Sequence, residues 1–439
     1  MTTTIDETAG TTELAEFLRS AEKFLEMSTT RKGQRQTFAW GAGDDSVVAI
    51  WDESDREQQR KDLESAREWR RARFDAGFGW IDGPKDLGGR ELESVYVRKY
   101  RALEATYDVP DQSFFKLDRV VAPVILRYAK PAFGENLARQ LYRGDAVVCE
   151  LFSEPGAGSD VFSVATQATE KGGQWLISGH KTWILDAHYA DFGIVLARTD
   201  GGGYGPGGLS AFVIDMNAAG VEVRPLKLMT GGVAFNEVLL HEVLVGDARR
   251  LGDVNAGWPV AREILRRERA AIGGGFARSG SGIANGERLK ALVKARGLSS
   301  DAVVRQELGG ILINFWAAKQ LVKRATACAI RKDDSGPAPL LGKISLSRNL
   351  HAVSEFVGDI LGADITADTG EWGTFAWTSF LLGEPGVHLF AGSDEIVLNI
   401  LAETVLGLPK EPKPAAQGQP SSSSQPLNRD SGHRPGRVT

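Results

Sequence analysis

From Ala146 to roughly Val245 the chain reads as a succession of short strands, and long helix-like stretches lie on either side of it. β-Branched and aromatic runs (VVCELF, QWLISGHKTWIL, FGIVLAR, LSAFVIDM, VEVRPL, EVLLHEVLV) alternate there with turn residues, a pattern that predicts an antiparallel sandwich or barrel. Upstream, DESDREQQRKDLESAREWRRARFDAGFGW, VYVRKYRALEATYD and VVAPVILRYA read as helices, and helical periodicity returns from Trp258 to Leu408. The order helices, strands, helices argues against an alternating βαβ sheet and for an α+β protein. The expected divisions are a helical region over 1–145 (1–51 ambiguous), a β-domain over 146–255, a helical region over 256–410 and a tail over 411–439. The tail is rich in Pro, Ser, Gly and Gln and is expected to be disordered.

Composition removes several classes of function. A net charge of -5 gives no basic surface for a phosphate backbone, so no nucleic-acid partner is expected. Cys149 and Cys328 are too few for a disulfide framework or a cysteine zinc site. The six histidines include no pair at the spacing that puts two metal ligands on one helix face, so no metal is expected. The acidic N-terminus and the lack of a long apolar run suggest a soluble, cytoplasmic protein. Gly203, Gly205 and Gly208 formally match G-x-G-x-x-G, but Pro206 interrupts them and a strand-like run follows. A dinucleotide fingerprint needs a helix start there, so these glycines read as a hairpin connection.

Four features carry candidate chemistry. In LFSEPGAGSD (151–160) a strand runs into Ser153, and Pro155, Gly156 and Gly158 turn the backbone tightly. Such a loop presents backbone N–H groups and the hydroxyls of Ser153 and Ser159 to a polar planar ligand, or is a serine-stabilised turn. Trp183, in GHKTWILDAHYADF, is either core or an aromatic wall for a flat ring. Glu268 follows Ile264 by four residues and Leu265 by three, so it shares the apolar stripe of its helix. Burial there raises a carboxyl pKa and suits a general base, although pairing with an arginine from another helix fits equally. In FAGSDEIVLNILAETVLG, Ser393 is a good N-cap with Asp394 and Glu395 in the first turn, and Gly392 permits close approach of a ligand.

Taken in order, these motifs resemble the acyl-CoA dehydrogenase family over about residues 60–410. CELFSEPGAGSD is similar to its flavin loop, GHKTWILDAHYAD to its second flavin-facing strand, RRERAAIGG to the start of its C-terminal helical domain, and FAGSDEIVLNILAETVLGLPK to its closing segment. The resemblance implies an N-terminal helical domain, a middle β-barrel and a C-terminal four-helix bundle, with FAD between the last two. It implies cofactor contacts from Phe152, Ser153, Gly158, Trp183, Ser393 and Glu395, and substrate contacts from Ser159, Arg269 and Gly392. It implies α,β-dehydrogenation of an acyl-CoA thioester, in which a base takes the α-proton and the β-hydrogen leaves as hydride. The Ala391 N–H would polarise the thioester carbonyl. An electron-transferring flavoprotein as acceptor and a homotetramer or homodimer are implied as well.

Two departures stand out. Many members carry the catalytic glutamate where this chain has Ala391, and a methyl cannot act as a base. A minority, resembling isovaleryl-CoA dehydrogenase, places it where Glu268 stands. The position two after Trp183, usually a hydroxyl residue facing the flavin, is Leu185. The family's flavin pyrophosphate motif is not evident between Gly286 and Ala317. These departures keep open a flavin-poor subunit of a heteromer, or a flavin oxidase or monooxygenase on the same fold.

Overall fold

The computed structural model describes residues 7–33, 50–51, 55–200, 204–275, 285–330, 336–366 and 375–410. The expected connection at 38–45 and the tail at 411–439 lie outside them. Helices come first: α1 (Glu7–Ser28), α2 (Arg56–Asp75), α3 (Ser94–Glu104), α4 (Asp118–Tyr128) and α5 (Pro131–Arg143). Local chemistry sets their ends. The Asp55 carboxylate caps α2 by accepting from the N–H groups of Glu57 and Gln58 at 2.8 and 3.0 Å. Pro131 opens α5, and Gly144, at φ +83°, closes it in the left-handed conformation.

Eight strands follow: β1 (Val148–Leu151), β2 (Gln167–Lys171), β3 (Gln174–Leu185), β4 (Phe192–Arg198), β5 (Leu209–Asp215), β6 (Val221–Leu226), β7 (Phe235–Gly246) and β8 (Arg250–Leu251). They form one sheet in the order β6-β7-β3-β2-β4-β5-β8, with β1 parallel to β4. A single parallel bridge, Gln167 to Arg198, joins β2 to β4. Strands β4 and β5 are consecutive and antiparallel, and β5 rather than a helix follows Gly208, so the dinucleotide motif falls away; Gly203 lies outside the described residues.

The C-terminal helices are α6 (Gly257–Gly275), α7 (Gly286–Ala295), α8 (Ala302–Ile330), α9 (Ala338–Leu361), α10 (Phe375–Gly383) and α11 (Asp394–Ile400). Two cores meet across α6. Its Val260, Ala261 and Ile264 share a buried cluster with Ile125 of α4, Leu141 of α5 and Ile194 of β4. The C-terminal helices close around Leu289, Ile311, Leu350, Phe356 and Trp377, and Phe390 packs against that cluster. The expected α+β architecture is thereby established, and Val260, Ala261 and Ile264 hold the first two turns of α6 against the sheet. No helix among the described residues is long and apolar enough to cross a membrane.

Candidate active site

The loop after β1 is held from below by one buried ion pair. Lys181 of β3 is wholly buried and donates to Glu154 at 2.7 Å, to the Leu196 carbonyl at 2.8 Å and to the Phe152 carbonyl at 3.3 Å. Glu154 also accepts from the backbone N–H groups of Ala165 and Thr166. Burial pushes the Glu154 carboxyl up, but Lys181 and these donors outweigh it and hold the group below the usual carboxylate range. The Thr182 N–H donates to the Ser153 carbonyl at 3.0 Å, tying the loop to the strand that carries Trp183. Phe152 is buried and Ser153 partly exposed. A Cβ added at Gly156 or Gly158 would meet nothing within 4 Å, so the space over this loop is open to a ligand.

Trp183 is not core. Along β3, alternation buries Trp175, Ile177 and Lys181, and the same phase would bury position 183. A register shift between Lys181 and Ile184 reverses the phase. Ile184 is buried, whereas Trp183 sits at φ +59° with 57% of its surface exposed. A large aromatic exposed on left-handed backbone costs free energy and marks a candidate ligand contact. Trp183 begins a row of edge-to-face rings running through Phe235 and Trp51 to Phe390, with centroids 6.0, 5.0 and 5.6 Å apart. The row reaches from the sheet to the segment holding Ala391.

The third component is the exposed end of α6. Glu268 keeps a partly accessible surface, yet burial lifts its pKa to about 7 against the opposing charge of Arg269. Glu150 of β1 lies close enough to interact with it; burial and then the Glu268 charge push the Glu150 carboxyl well above the usual range. Its Oε1 has no hydrogen-bond partner among the described residues. Arg269 is half-buried, and its Nη1 would lie 3.9 Å from a Cβ placed on Gly392. Ala391 and Gly392 have φ +55° and +90°, a strained turn that precedes Ser393. The Ser393 hydroxyl caps α11 by accepting from the Ile396 N–H at 3.4 Å.

The structure thus brings Arg269 of α6 to the Ala391–Ser393 turn at Gly392, with Glu268 one residue before it, and Phe152, Ser153, Gly158 and Trp183 to a second place, with the aromatic row running from Trp183 to Phe390. Ser159 and Glu395 are exposed. Leu185 pairs with Phe235 on β7, so no hydroxyl stands at its position. Sequence reasoning did not single out Glu150, Glu154, Lys181 or Trp51. The signal for the first was a charge inside an apolar strand, and for Lys181 its inward phase on β3. Nothing local marks Trp51. The donors of the 152–160 loop, the exposed indole and the open space above Gly156 and Gly158 fit a flat polar cofactor such as a flavin.

Comparison with known proteins gives the same picture. The acyl-CoA dehydrogenase middle-domain family model matches residues 149–243, and the C-terminal-domain model matches 255–406. Acyl-CoA dehydrogenase IpdE1 of Mycobacterium tuberculosis is 30% identical over 363 residues, covering 81% of this chain and 91% of the relative. Acyl-CoA dehydrogenase FadE34 of the same organism is 34% identical over 290 residues, which are 66% of this chain but only 39% of that longer protein. Among solved structures, the Tcur3481-Tcur3483 steroid acyl-CoA dehydrogenase superposes with a TM-score of 0.68 at 20% identity, covering 91% and 98% of the two chains. A glutaryl-CoA dehydrogenase from Mycobacterium smegmatis in complex with FADH2 gives 0.60 at 16% identity, covering 90% and 95%.

Proposed function

This chain belongs to the acyl-CoA dehydrogenase family of FAD-dependent oxidoreductases, and on that premise we propose that Glu268 is the base that removes the α-proton of an acyl-CoA thioester to yield a trans-2-enoyl-CoA. The supporting observation is the meeting of α6 with the 391–393 turn. Arg269, the residue after Glu268, reaches Gly392 of the loop whose N–H would bind the thioester carbonyl, and Glu268 itself has a pKa lifted to about 7. A base poised near neutrality combines a large deprotonated fraction with adequate proton affinity. FAD, when bound, supplies the hydride acceptor. The chain does the rest. The Ala391 N–H polarises the carbonyl and makes the α-proton acidic. Glu268 accepts that proton. Trp183 and the 152–160 loop would hold the flavin with Ser393 and Glu395, and Ser159, Arg269 and Gly392 would receive the CoA thioester. An electron-transferring flavoprotein then takes the electrons.

An absorption spectrum of the purified chain, followed by anaerobic titration with a panel of acyl-CoAs, tests this. The panel includes steroid-derived thioesters, because one structural neighbour is a steroid acyl-CoA dehydrogenase. Bleaching of the flavin bands by one thioester class, lost in Glu268→Gln, is the expected result. Bleaching that survives Glu268→Gln sinks the base assignment. A second reading rests on Leu185, and on a neighbour titled as the ChsE4-ChsE5 complex: this chain works as one member of a two-chain assembly. A colourless isolated chain that gains flavin only with a sister chain would establish that alternative.

A further inference from the structure

Three side chains far from the flavin loop converge below the 391–393 turn. His351 comes from α9, and Glu384 and His388 from the 3-10 turn that precedes Phe390. One ligand atom from each lies within 4.8 Å of the others. The buried Glu384 carboxylate sits between the rings, with Oε1 2.9 Å from His388 Nε2 and Oε2 3.6 Å from His351 Nδ1. Zinc holds nitrogen and oxygen ligands at about 2.0–2.2 Å, which in tetrahedral geometry separates neighbouring ligands by about 3.3 Å. The two observed separations bracket that value.

The outer nitrogens carry the stronger argument. A metal-binding imidazole commonly has a carboxylate or carbonyl on its other nitrogen, which fixes the ring and raises its basicity. Here both rings have one. His388 Nδ1 is 2.8 Å from Asp394, which Lys343 and Ser347 hold at 2.8–2.9 Å. His351 Nε2 is 3.6 Å from Glu355. Around the two rings, the carboxylates of Glu355, Glu384 and Asp394 outnumber the one ammonium of Lys343 by two negative charges. A divalent cation cancels them. The half-exposed His351 leaves one side open for entry and for a water as fourth ligand.

We propose that His351, Glu384 and His388 bind one zinc-class divalent ion that ties α9 to the segment carrying Ala391, Gly392 and Ser393. Two imidazoles and one carboxylate suit zinc and disfavour magnesium or calcium, which require oxygen. The site stands independently of the dehydrogenase reading, since none of its ligands touches the proposed base.

The test is calorimetric titration of the flavin-loaded protein with zinc chloride, after chelator treatment and without a polyhistidine tag. Binding of one equivalent per chain is expected, with a rise in the thermal midpoint and no displacement by excess magnesium. His351→Ala, a change at an exposed position, should abolish the stoichiometric phase, and Glu355→Gln should weaken it by about 10–100-fold. Absence of stoichiometric binding by the parent protein overturns the proposal and leaves the cluster as ion pairs alone. Binding unchanged in His351→Ala overturns it by placing the ion elsewhere, and displacement by magnesium overturns the ligand class.

Discussion

Glu150 and Glu154 stand four residues apart on one continuous strand and loop, both shielded by protein, yet their carboxyls move in opposite directions. Glu154 has Lys181 and two backbone N–H groups, and it stays ionised. Glu150 has an orphaned oxygen and a second carboxylate, Glu268, for a neighbour, and it holds its proton. Burial is common to both; the partner decides the outcome. The first arrangement builds a rigid floor for a cofactor loop. In the second, burial lifts the base to about 7, and its charge adds to the burial that pushes Glu150 upward.

Five substitutions break or sharpen that contrast. The largest effect is expected from Glu268→Gln, which keeps shape but removes the base. Turnover should fall by about 10²–10⁴-fold while flavin content is unchanged, read by single-turnover reduction of the bound flavin. Lys181→Met attacks the paired side. It strands the Glu154 charge in the core and should cost about 3–5 kcal/mol of stability in denaturant unfolding. Adding Glu154→Gln should return much of that loss, and a double mutant no more stable than Lys181→Met would show that the two side chains act separately.

Trp183→Ala should weaken FAD retention by about 0.5–1.5 kcal/mol, the value of an aromatic stacking contact, measured as the FAD dissociation constant. Unchanged affinity would make the exposed indole irrelevant to the cofactor. Glu150→Gln is the gentlest change and acts on pH dependence. Glu268 works deprotonated, so activity should rise as pH climbs through about 7 in the parent protein. Because burial sets the Glu268 shift and Glu150 is pushed toward its neutral form, Glu150→Gln should leave that rise in place, and a rise moved to lower pH would show that the two carboxyls titrate as one unit. The stability sign follows from the same shift. Glu150 holds a proton in the folded state that the unfolded chain releases, so its contribution falls as pH climbs above the ordinary carboxylate range. Glu150→Gln should flatten that decline in unfolding measured across the same pH range.

Much of this molecule could be read along the chain. Every β-rich run from VVCELF to EVLLHEVLV lies in a strand or at its margin, because alternation and turn residues are local signals. The phase of Glu268 on α6 followed from Ile264 and Leu265, and burial of that face is what the structure shows. The ordered motifs were enough to place the chain in its family. Tertiary structure decided the rest. The register shift after Lys181 turned Trp183 outward against the phase of its own strand. Trp51 joined Phe235 and Phe390 across long stretches of chain. Folding also set Glu150 against Glu268, and brought His351 of α9 to Glu384 and His388, more than thirty residues away along the chain. Periodicity reports which side of its own element a residue occupies. Which partner meets it there depends on how elements pack, and for buried charges that partner determines the chemistry.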